Sequence, residues 1–222
     1  MDRNLGATSA TPGDVGALGL LYQWGRKDPF LGSSSISSNS VAKSTITWPS
    51  AVESNYFYGT IAYATANPTT FIEYNSKNSD WYYTGTSSTE NTRWTESDKD
   101  KSMYDPCPAG WRVPDGGDNG FWSKASGSSS SFSKSYYSTY EGMNFSGKFG
   151  SASTIWYPAS GFRSGNFGGT LCNVGRGGYY CSASPYGYYA YDMYFYDNGS
   201  VYPSSNMVRA GGSSVRCLRE SE

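Results

Sequence analysis

Tyrosine dominates one C-terminal stretch of the chain and defines the chemistry available there. Nine of the 24 residues between Tyr179 and Tyr202 are tyrosine, most of the others are Ser, Gly, Asn and Asp, and Lys, Arg and Glu are absent. Tyrosine offers rigid contact area with a polar hydroxyl, and small polar residues adapt their hydrogen bonds. Because Val201 is the only Leu, Ile or Val in this stretch, its composition is typical of a ligand-contacting surface rather than a packed core.

The absence of histidine from all 222 residues removes several classes of active site. Ser-His-Asp and Cys-His catalysis, His-ligated zinc and a histidine pH switch all require an imidazole. The formal net charge is -1 and no basic cluster exceeds a dipeptide such as Arg26-Lys27, which disfavours nucleic acid and anionic membranes as partners. No apolar run reaches membrane-spanning length and no signal peptide is evident, so we expect any export leader to lie outside this chain.

Four cysteines are present, and none forms a C-x-x-C motif: Cys107, Cys172, Cys181 and Cys217. This spacing argues against a zinc site or a thioredoxin-like centre, and we predict no metal, cofactor or catalytic residue. An even number of cysteines suits up to two disulfides in an exported protein, with three possible pairings. For Cys172 and Cys181, a bridge across the glycine-rich turn and two free thiols both stay open.

The two-residue period of a β-strand assigns different roles to neighbours within the tyrosine-rich stretch. It puts Met193 and Phe195 on one face and Asp192, Tyr194 and Tyr196 on the other. Met193 and Phe195 are the best candidates for burial, so we expect Asp192, Tyr194 and Tyr196 to face outward. An exposed aromatic patch of this kind usually marks an interaction site.

The elements that must carry this surface are short and punctuated by Gly and Pro. A helix is predicted over 17–24, because Leu20, Leu21 and Trp24 share one helical face and Asp14 could cap it. A long irregular segment follows, with scattered aromatics that look like anchors onto a core, among them Trp48, Trp81 and Trp94. The serine-rich residues 126–138 are predicted to form a loop. The other predicted elements are strands at 1–5, 111–114, 155–162 and 213–219, and a helix over 118–125 capped by Asp118.

Five motifs along the chain resemble one known bacterial family: MDRNLGA, LLYQWGRKDPF, NPTTFIEYNSKNSDW, KSMYDPCPAGWRVP and SSVRCLRE. Together they are similar to the Fibrobacter succinogenes major paralogous (FISUMP) domain, which is frequent in surface proteins of the Bacteroidetes. The likeness runs in the family order from residue 1 to residue 220. It implies one domain over 1–222 with an α+β, C-type-lectin-like fold. Such a fold has a small twisted antiparallel sheet with two helices, here with a long irregular insertion at about 28–104.

The tyrosine-rich stretch also resembles the variable region in target proteins of diversity-generating retroelements, which use the same fold. In those proteins template adenines are randomised while the intervening scaffold codons stay constant. The likeness implies a variable, ligand-binding segment over about 179–209. The residues assigned to ligand binding are Tyr186, Tyr188, Tyr189, Asp192, Tyr194, Tyr196, Asp197, Asn198, Tyr202, Ser204, Ser205 and Asn206.

The family resemblance also implies a structural disulfide between Cys107 and Cys217. Two residues depart from the family pattern: Cys181 stands where a Trp is usual, and Ser213 stands where an aromatic precedes the last strand. A Trp also normally precedes the position of Met1, which suggests that an N-terminal strand is missing. These departures bear on local packing and on the pairing of Cys181.

From these observations we expect a non-enzymatic adhesin or receptor-binding domain. It would act at a cell surface, in the extracellular space or on a phage virion, and would recognise a protein or a glycan. One alternative is a structural or pilus-associated surface domain without diversified binding. The other is an oxidase like the formylglycine-generating enzymes, which share the implied fold and would need a reactive pair such as Cys172 and Cys181.

Overall fold

The computed structural model describes residues 1–39, 51–86, 90–94, 101–126, 133–146 and 155–220. Within these ranges the chain forms fifteen strands, two short α-helices and a 3-10 turn at Val15–Ala17. The helices are α1 (Ile61–Ala66) and α2 (Phe121–Ser126). The strands are β1 (Leu21–Gln23), β2 (Pro29–Phe30), β3 (Ala51–Glu53), β4 (Phe71–Glu73), β5 (Trp111–Arg112), β6 (Ser133–Tyr137), β7 (Gly142–Ser146), β8 (Ile155–Pro158), β9 (Phe162–Arg163), β10 (Leu171–Cys172), β11 (Gly177–Tyr186), β12 (Tyr189–Tyr196), β13 (Val201–Val208), β14 (Gly212–Ser214) and β15 (Leu218–Arg219).

The largest sheet has eight strands and contains the whole tyrosine-rich stretch. Its order is β10-β9-β14-β11-β12-β13, and β1 joins it through β14 and pairs in turn with β2. Strands β11, β12 and β13 are antiparallel neighbours. A two-residue turn joins β11 to β12, and Gly187 there has a φ of 54°, which glycine adopts without a steric penalty.

Side chains along β12 point alternately to the two faces of the sheet without interruption. The register shifts of this sheet lie in the neighbouring strands β11 and β13. In β11, the five residues from Cys181 to Pro185 lie opposite only three residues of β12, Ala190 to Asp192. In β13, the four residues from Tyr202 to Ser205 lie opposite three residues of β12, Asp192 to Tyr194. Regular alternation puts side chains of even and odd number on opposite faces of β12. One face carries Ala190, Asp192, Tyr194 and Tyr196, and the other carries Tyr189, Tyr191, Met193 and Phe195.

Hydrophobic clusters cover both faces of this sheet, but over different parts of it. On one face, Met193 and Phe195 pack with Trp122 of α2 and with Met143 and Tyr157 of the separate sheet β6-β7-β8. Their burial is confirmed, since Met193 is 2% exposed and Phe195 is fully covered. On the other face, a second cluster covers only one end of β12, and it contains Ala190, Cys181, Trp24, Ala183 and Val215.

The expected α+β, C-type-lectin-like fold with a small sheet and two helices is wrong for this chain. Strands dominate, and they are distributed over one large sheet and three small ones within the described ranges. The predicted helix over 17–24 is one example of a segment that forms a strand instead. Gly19 takes a φ of 71°, which ends any helix, and Leu21 and Tyr22 lie in β1, between β14 and β2. Asp14 caps only the short 3-10 turn, by accepting from the Gly16 amide.

Other predicted elements are confirmed in part. Strand β5 lies within its predicted range, and helix α2 begins within 118–125 but extends one residue further, to Ser126. Asp118 accepts from the Ser204 hydroxyl (2.8 Å) and is not seen capping α2. The region 155–162 divides into β8 and the start of β9, and β6 forms where a loop was expected. No strand forms at 1–5 within the described chain. There, single hydrogen bonds tie the Met1 amine to the Cys217 carbonyl and the Leu5 amide to the Val215 carbonyl.

The closing region 213–219 is not one alternating strand. It is divided between β14 and β15, which belong to different sheets. Val215 and Cys217 are buried as expected, but Arg216 is buried as well, with its guanidinium carbon 4.0 Å from the Tyr157 ring centroid. Its guanidinium donates to the Asn4 side chain and the Trp156 carbonyl, so the buried group is hydrogen-bonded inside the protein.

The segment predicted as an irregular insertion contributes strands, a helix and buried anchors. Trp81 and Trp94 are buried as anchors, whereas Trp48 lies outside the described residues. Asp80 makes ion pairs with Arg93 (2.5 Å) and Arg209 (3.3 Å), all of them buried. Arg209 also donates to the carbonyls of Tyr189 and Gly187, so this segment helps to hold the β11–β12 turn.

Candidate recognition surface

Four tyrosines on β11, β12 and β13 form one aromatic group, which we call the tyrosine cluster: Tyr179, Tyr194, Tyr196 and Tyr202. Tyr194 lies opposite Tyr179 on one side and opposite Tyr202 on the other. The three rings stack, with centroids 5.7 Å apart for Tyr179–Tyr194 and 4.5 Å apart for Tyr194–Tyr202. Tyr196 meets Tyr194 edge-on at 5.3 Å. Cross-strand aromatic pairs of this kind stabilise a sheet and orient their rings.

Burial within the tyrosine cluster increases from β13 to β11. Tyr202 is 45% exposed, Tyr194 and Tyr196 are half-buried, and Tyr179 is buried. β13 lies at the end of the sheet order, so Tyr202 is the outermost ring of the stack. The cluster therefore has a buried base on β11 and an accessible end on β13.

Hydrogen bonds orient the phenol hydroxyls at the base of the cluster. The Asn173 Nδ2 donates to the Tyr179 hydroxyl (2.7 Å), and this hydroxyl donates to that of Tyr196 (3.0 Å). Burial raises the pKa of Tyr179, and the bond to Tyr196 raises it further. Burial also raises the pKa of Tyr194. Both phenols are therefore neutral near pH 7, and each can donate and accept hydrogen bonds.

The remaining tyrosines of the predicted site form a separate group around the β11–β12 turn. Tyr186, Tyr188 and Tyr189 are exposed, and the Tyr186 ring lies 4.8 Å from that of Tyr191. Tyr189 is five residues along β12 from Tyr194, which corresponds to roughly 17 Å of extended strand. The alternation of β12 also puts Tyr189 and Tyr194 on opposite faces. The predicted tyrosines therefore form two groups, not one patch.

Asp192 was expected to face outward, and this expectation is wrong. The residue shares a face with Tyr194 but is only 2% exposed, because this end of the face is covered by the cluster that includes Cys181 and Ala190. Its Oδ1 accepts no hydrogen bond from any described residue. Burial raises the pKa of Asp192 to about 7. Asp192 is thus a buried carboxyl beside the tyrosine cluster and not a surface contact.

Strand β13 carries the polar residues of the predicted site next to the exposed end of the cluster. Ser205 lies opposite Asp192, on the same face as Tyr194. Ser204 donates to Asp118, and Asn206 is exposed opposite Tyr191. Directly opposite residues of an antiparallel pair share a face of the sheet. Ser205 therefore lies on the face of the tyrosine cluster, whereas Asn206 lies on the other face with Tyr191.

The turn between β12 and β13 contains the last two predicted site residues. The Asn198 Oδ1 accepts from the Ser200 amide (2.9 Å), which shapes the turn. Asp197 forms an exposed ion pair with the Arg176 Nε (3.5 Å) and donates its amide to the Arg176 carbonyl. Arg176 and Asn173, which frame this region, were missed at the sequence level. The only available signal was an Arg and an Asn beside the glycines that precede the tyrosine-rich stretch.

The cysteines divide into one disulfide and two thiols. Cys107 and Cys217 form the disulfide that the family resemblance implies, across 110 residues of sequence. Cys172 and Cys181 are both free, and Cys181 is buried in β11. Burial raises the pKa of both thiols, which keeps them protonated near pH 7 and weakens them as nucleophiles.

Comparisons with family models, with curated proteins and with solved structures find no match for this chain. Within the described ranges, no three His, Cys, Asp or Glu side chains come together in a group that could hold a metal ion. The described helices are also too short or too polar to span a membrane.

Proposed function

We propose that this chain is a non-enzymatic recognition domain that contacts its ligand through the exposed end of the tyrosine cluster and through Ser205 of β13. The observation that carries this proposal is the stack of Tyr179, Tyr194 and Tyr202, which ends in a half-exposed ring on an outer strand. A stack of phenols with free edges supports recognition, because it offers rigid apolar area with little side-chain entropy to lose on binding.

The neighbourhood of the cluster supports the same function. Ser205 supplies an adaptable hydrogen-bonding group beside rigid aromatic anchors, which is the division of roles found in antibody-like binding sites. The resemblance to retroelement-diversified proteins agrees with it, since Tyr, Ser, Asn and Asp positions there are replaceable while the scaffold is constant. A protein surface is the ligand class that this composition favours, and a glycan is the second.

The proposal is tested with matched tyrosine variants of the whole chain. Beads coated with the chain are offered a panel of intact bacterial cells, and adhesion of wild type is compared with that of Tyr194→Ser/Tyr202→Ser. Tyr56→Ser is the control, because Tyr56 is 69% exposed but lies in the turn between β3 and α1, outside the tyrosine-rich stretch. We expect the double variant to lose at least about tenfold in adhesion, as loss of an aromatic hot spot does, and the control to bind like wild type.

Two outcomes would contradict this proposal. One is a double variant that keeps its circular dichroism spectrum and adheres as strongly as wild type, which would favour a purely structural domain. The other is adhesion that falls equally in Tyr56→Ser.

The diversification part has its own test in the neighbouring DNA. A reverse-transcriptase gene and a near-identical template repeat differing mainly at adenines should lie there, and the absence of both would refute it.

A further inference from the structure

A cavity of about 630 Å³ lies where three turns of the chain meet, next to the tyrosine cluster but separate from it. Its volume is within the range typical of small-molecule sites, roughly 300–1,000 Å³. Six polar side chains in its wall carry the following argument: Tyr136, Glu141, Asn173, Arg176, Asp197 and Asn198.

The backbone of this cavity is held in an uncommon conformation. Glu141 (φ 49°) and Asn173 (φ 57°) are the two residues other than glycine with positive φ in the described part of the chain, and both line the cavity. Such residues carry a steric cost and persist only where the surroundings hold them. Ala159 links their turns, since its amide donates to the Glu141 carbonyl and its carbonyl accepts from the Gly175 amide.

Hydrogen bonds within the wall leave several polar groups without a partner among the described residues. The Tyr136 hydroxyl lies 2.8 Å from the Glu141 Oε2 and 2.5 Å from the Gly175 carbonyl, so its single proton serves two acceptors. The Glu141 Oε1, the Asn173 Oδ1 and the Asn198 Nδ2 make no hydrogen bond to any described residue. The cavity therefore presents free acceptors and a free donor at fixed positions.

The charges around the cavity narrow the class of ligand. Asp197 is paired with Arg176, and Glu141 is the one further carboxylate among the six side chains. A phosphate or another anion would face both carboxylates, and an apolar ligand would leave the amides unpaired. Vicinal hydroxyls suit this wall, because each hydroxyl can donate to a carboxylate or amide oxygen and accept from an amide or guanidinium group.

We propose that this cavity binds a neutral polyhydroxylated ligand of the monosaccharide class, held by Glu141, Asn173, Asn198 and Arg176. The Glu141 and Asn173 oxygens accept from ring hydroxyls, and Asn198 and Arg176 donate to others. The Asn173 amide also starts the hydrogen-bond chain to Tyr179 and Tyr196, so the cavity adjoins the tyrosine cluster at this side chain. This site goes beyond the proposed recognition surface and does not depend on it.

The test uses the whole chain and four probes: the methyl glycosides of glucose, galactose, mannose and N-acetylglucosamine. Saturation-transfer NMR should detect transfer from the protein to the ring protons of at least one of them. Glu141→Gln and Asn173→Gly should each weaken that binding by at least about tenfold, the effect of losing a charge-assisted or well-placed hydrogen bond. Glycine is chosen at residue 173 because it keeps the left-handed backbone while removing the amide.

Tyr202→Ser is the matched control, because it removes the exposed end of the tyrosine cluster and leaves the cavity wall intact. It should bind the glycoside like wild type, so failure of the recognition surface and failure of the cavity are distinguishable. The proposal is overturned if none of the four glycosides receives saturation, or if both folded cavity variants bind as well as wild type. Preferential binding of inorganic phosphate or methylammonium, offered as competing probes, would also overturn it.

Discussion

Asp192 lies directly opposite Cys181 across β11 and β12, and both side chains are buried. Two residues further along β12, on the same face, Tyr194 is only half-buried. The boundary between core and surface therefore crosses this face between Asp192 and Tyr194. A ligand on the tyrosine cluster would contact Tyr194 and Tyr202 directly and would have the Asp192 carboxyl behind them.

Replacing Asp192 should change how stability depends on pH. Burial raises its pKa from 3.8 to about 7, so between these values the folded chain keeps a proton that the unfolded chain has lost. The contribution of the neutral Asp192 carboxyl to the free energy of unfolding is fully present below pH 3.8. It is lost as the pH rises through about 7, because the buried group must then ionise. Asp192→Asn should remove this loss and raise the free energy of unfolding at pH 8 by roughly 2–4 kcal/mol. Urea unfolding of both proteins between pH 4 and pH 8 measures the difference.

The difference between the two profiles isolates Asp192 from other titrating groups. Its titratable neighbours are Cys181, Tyr179 and Tyr194, whose pKa values are all raised and which stay protonated over this range. Parallel pH profiles for wild type and Asp192→Asn would show that the carboxyl is solvated in the folded chain.

Phe195→Ala tests which face of β12 is buried. Phe195 is fully covered and packs with Tyr180 and Met193, so its truncation should cost about 3–5 kcal/mol of unfolding free energy. Tyr202→Ala on the opposite face is the control, and it should cost roughly 1 kcal/mol, the value of a stacked aromatic pair. Guanidinium denaturation followed by tryptophan fluorescence measures both. Equal costs would mean that the two faces are equally packed.

The Cys107–Cys217 disulfide should contribute measurably to stability. It closes a loop of 110 residues, and constraining so long a loop in the unfolded chain is worth about 2–4 kcal/mol. Cys107→Ala/Cys217→Ala should therefore lower the free energy of unfolding by that amount in non-reducing buffer. Cys172→Ala, at a half-exposed free thiol, should change it little. A double variant as stable as wild type would show that the bridge does not form in solution.

Asp80→Asn should be severely destabilising, because Asp80 compensates two buried guanidinium groups. Its carboxylate pairs with Arg93 and Arg209, and removing one partner of a buried ion pair typically costs about 3–5 kcal/mol. Asp2→Asn is the control, since the Asp2–Arg3 pair is exposed and such pairs contribute less than about 1 kcal/mol. Thermal unfolding of the two variants compares them. A small effect at Asp80 would mean that water reaches this network.

Sequence alone determined the features that depend on local period and composition. The alternation around Met193 and Phe195 identified the buried side of β12, because a strand reverses its side-chain direction at every residue. The concentration of Tyr with small polar residues marked the region that now contains the tyrosine cluster. The short helix near Phe121 also followed from its local pattern.

Only the tertiary structure decided what covers each element. That coverage determined whether the segment near Leu21 is a helix or a strand, and which side chains of β12 are exposed. Leu20, Leu21 and Trp24 suit a helical face, but pairing of β1 with β14 and β2 makes this segment a strand. Asp192 and Tyr194 have the same orientation in β12, yet Cys181 and its neighbours, from distant parts of the chain, bury only Asp192. Alternation specifies the direction of a side chain. Its exposure depends on non-local packing, which no local pattern contains.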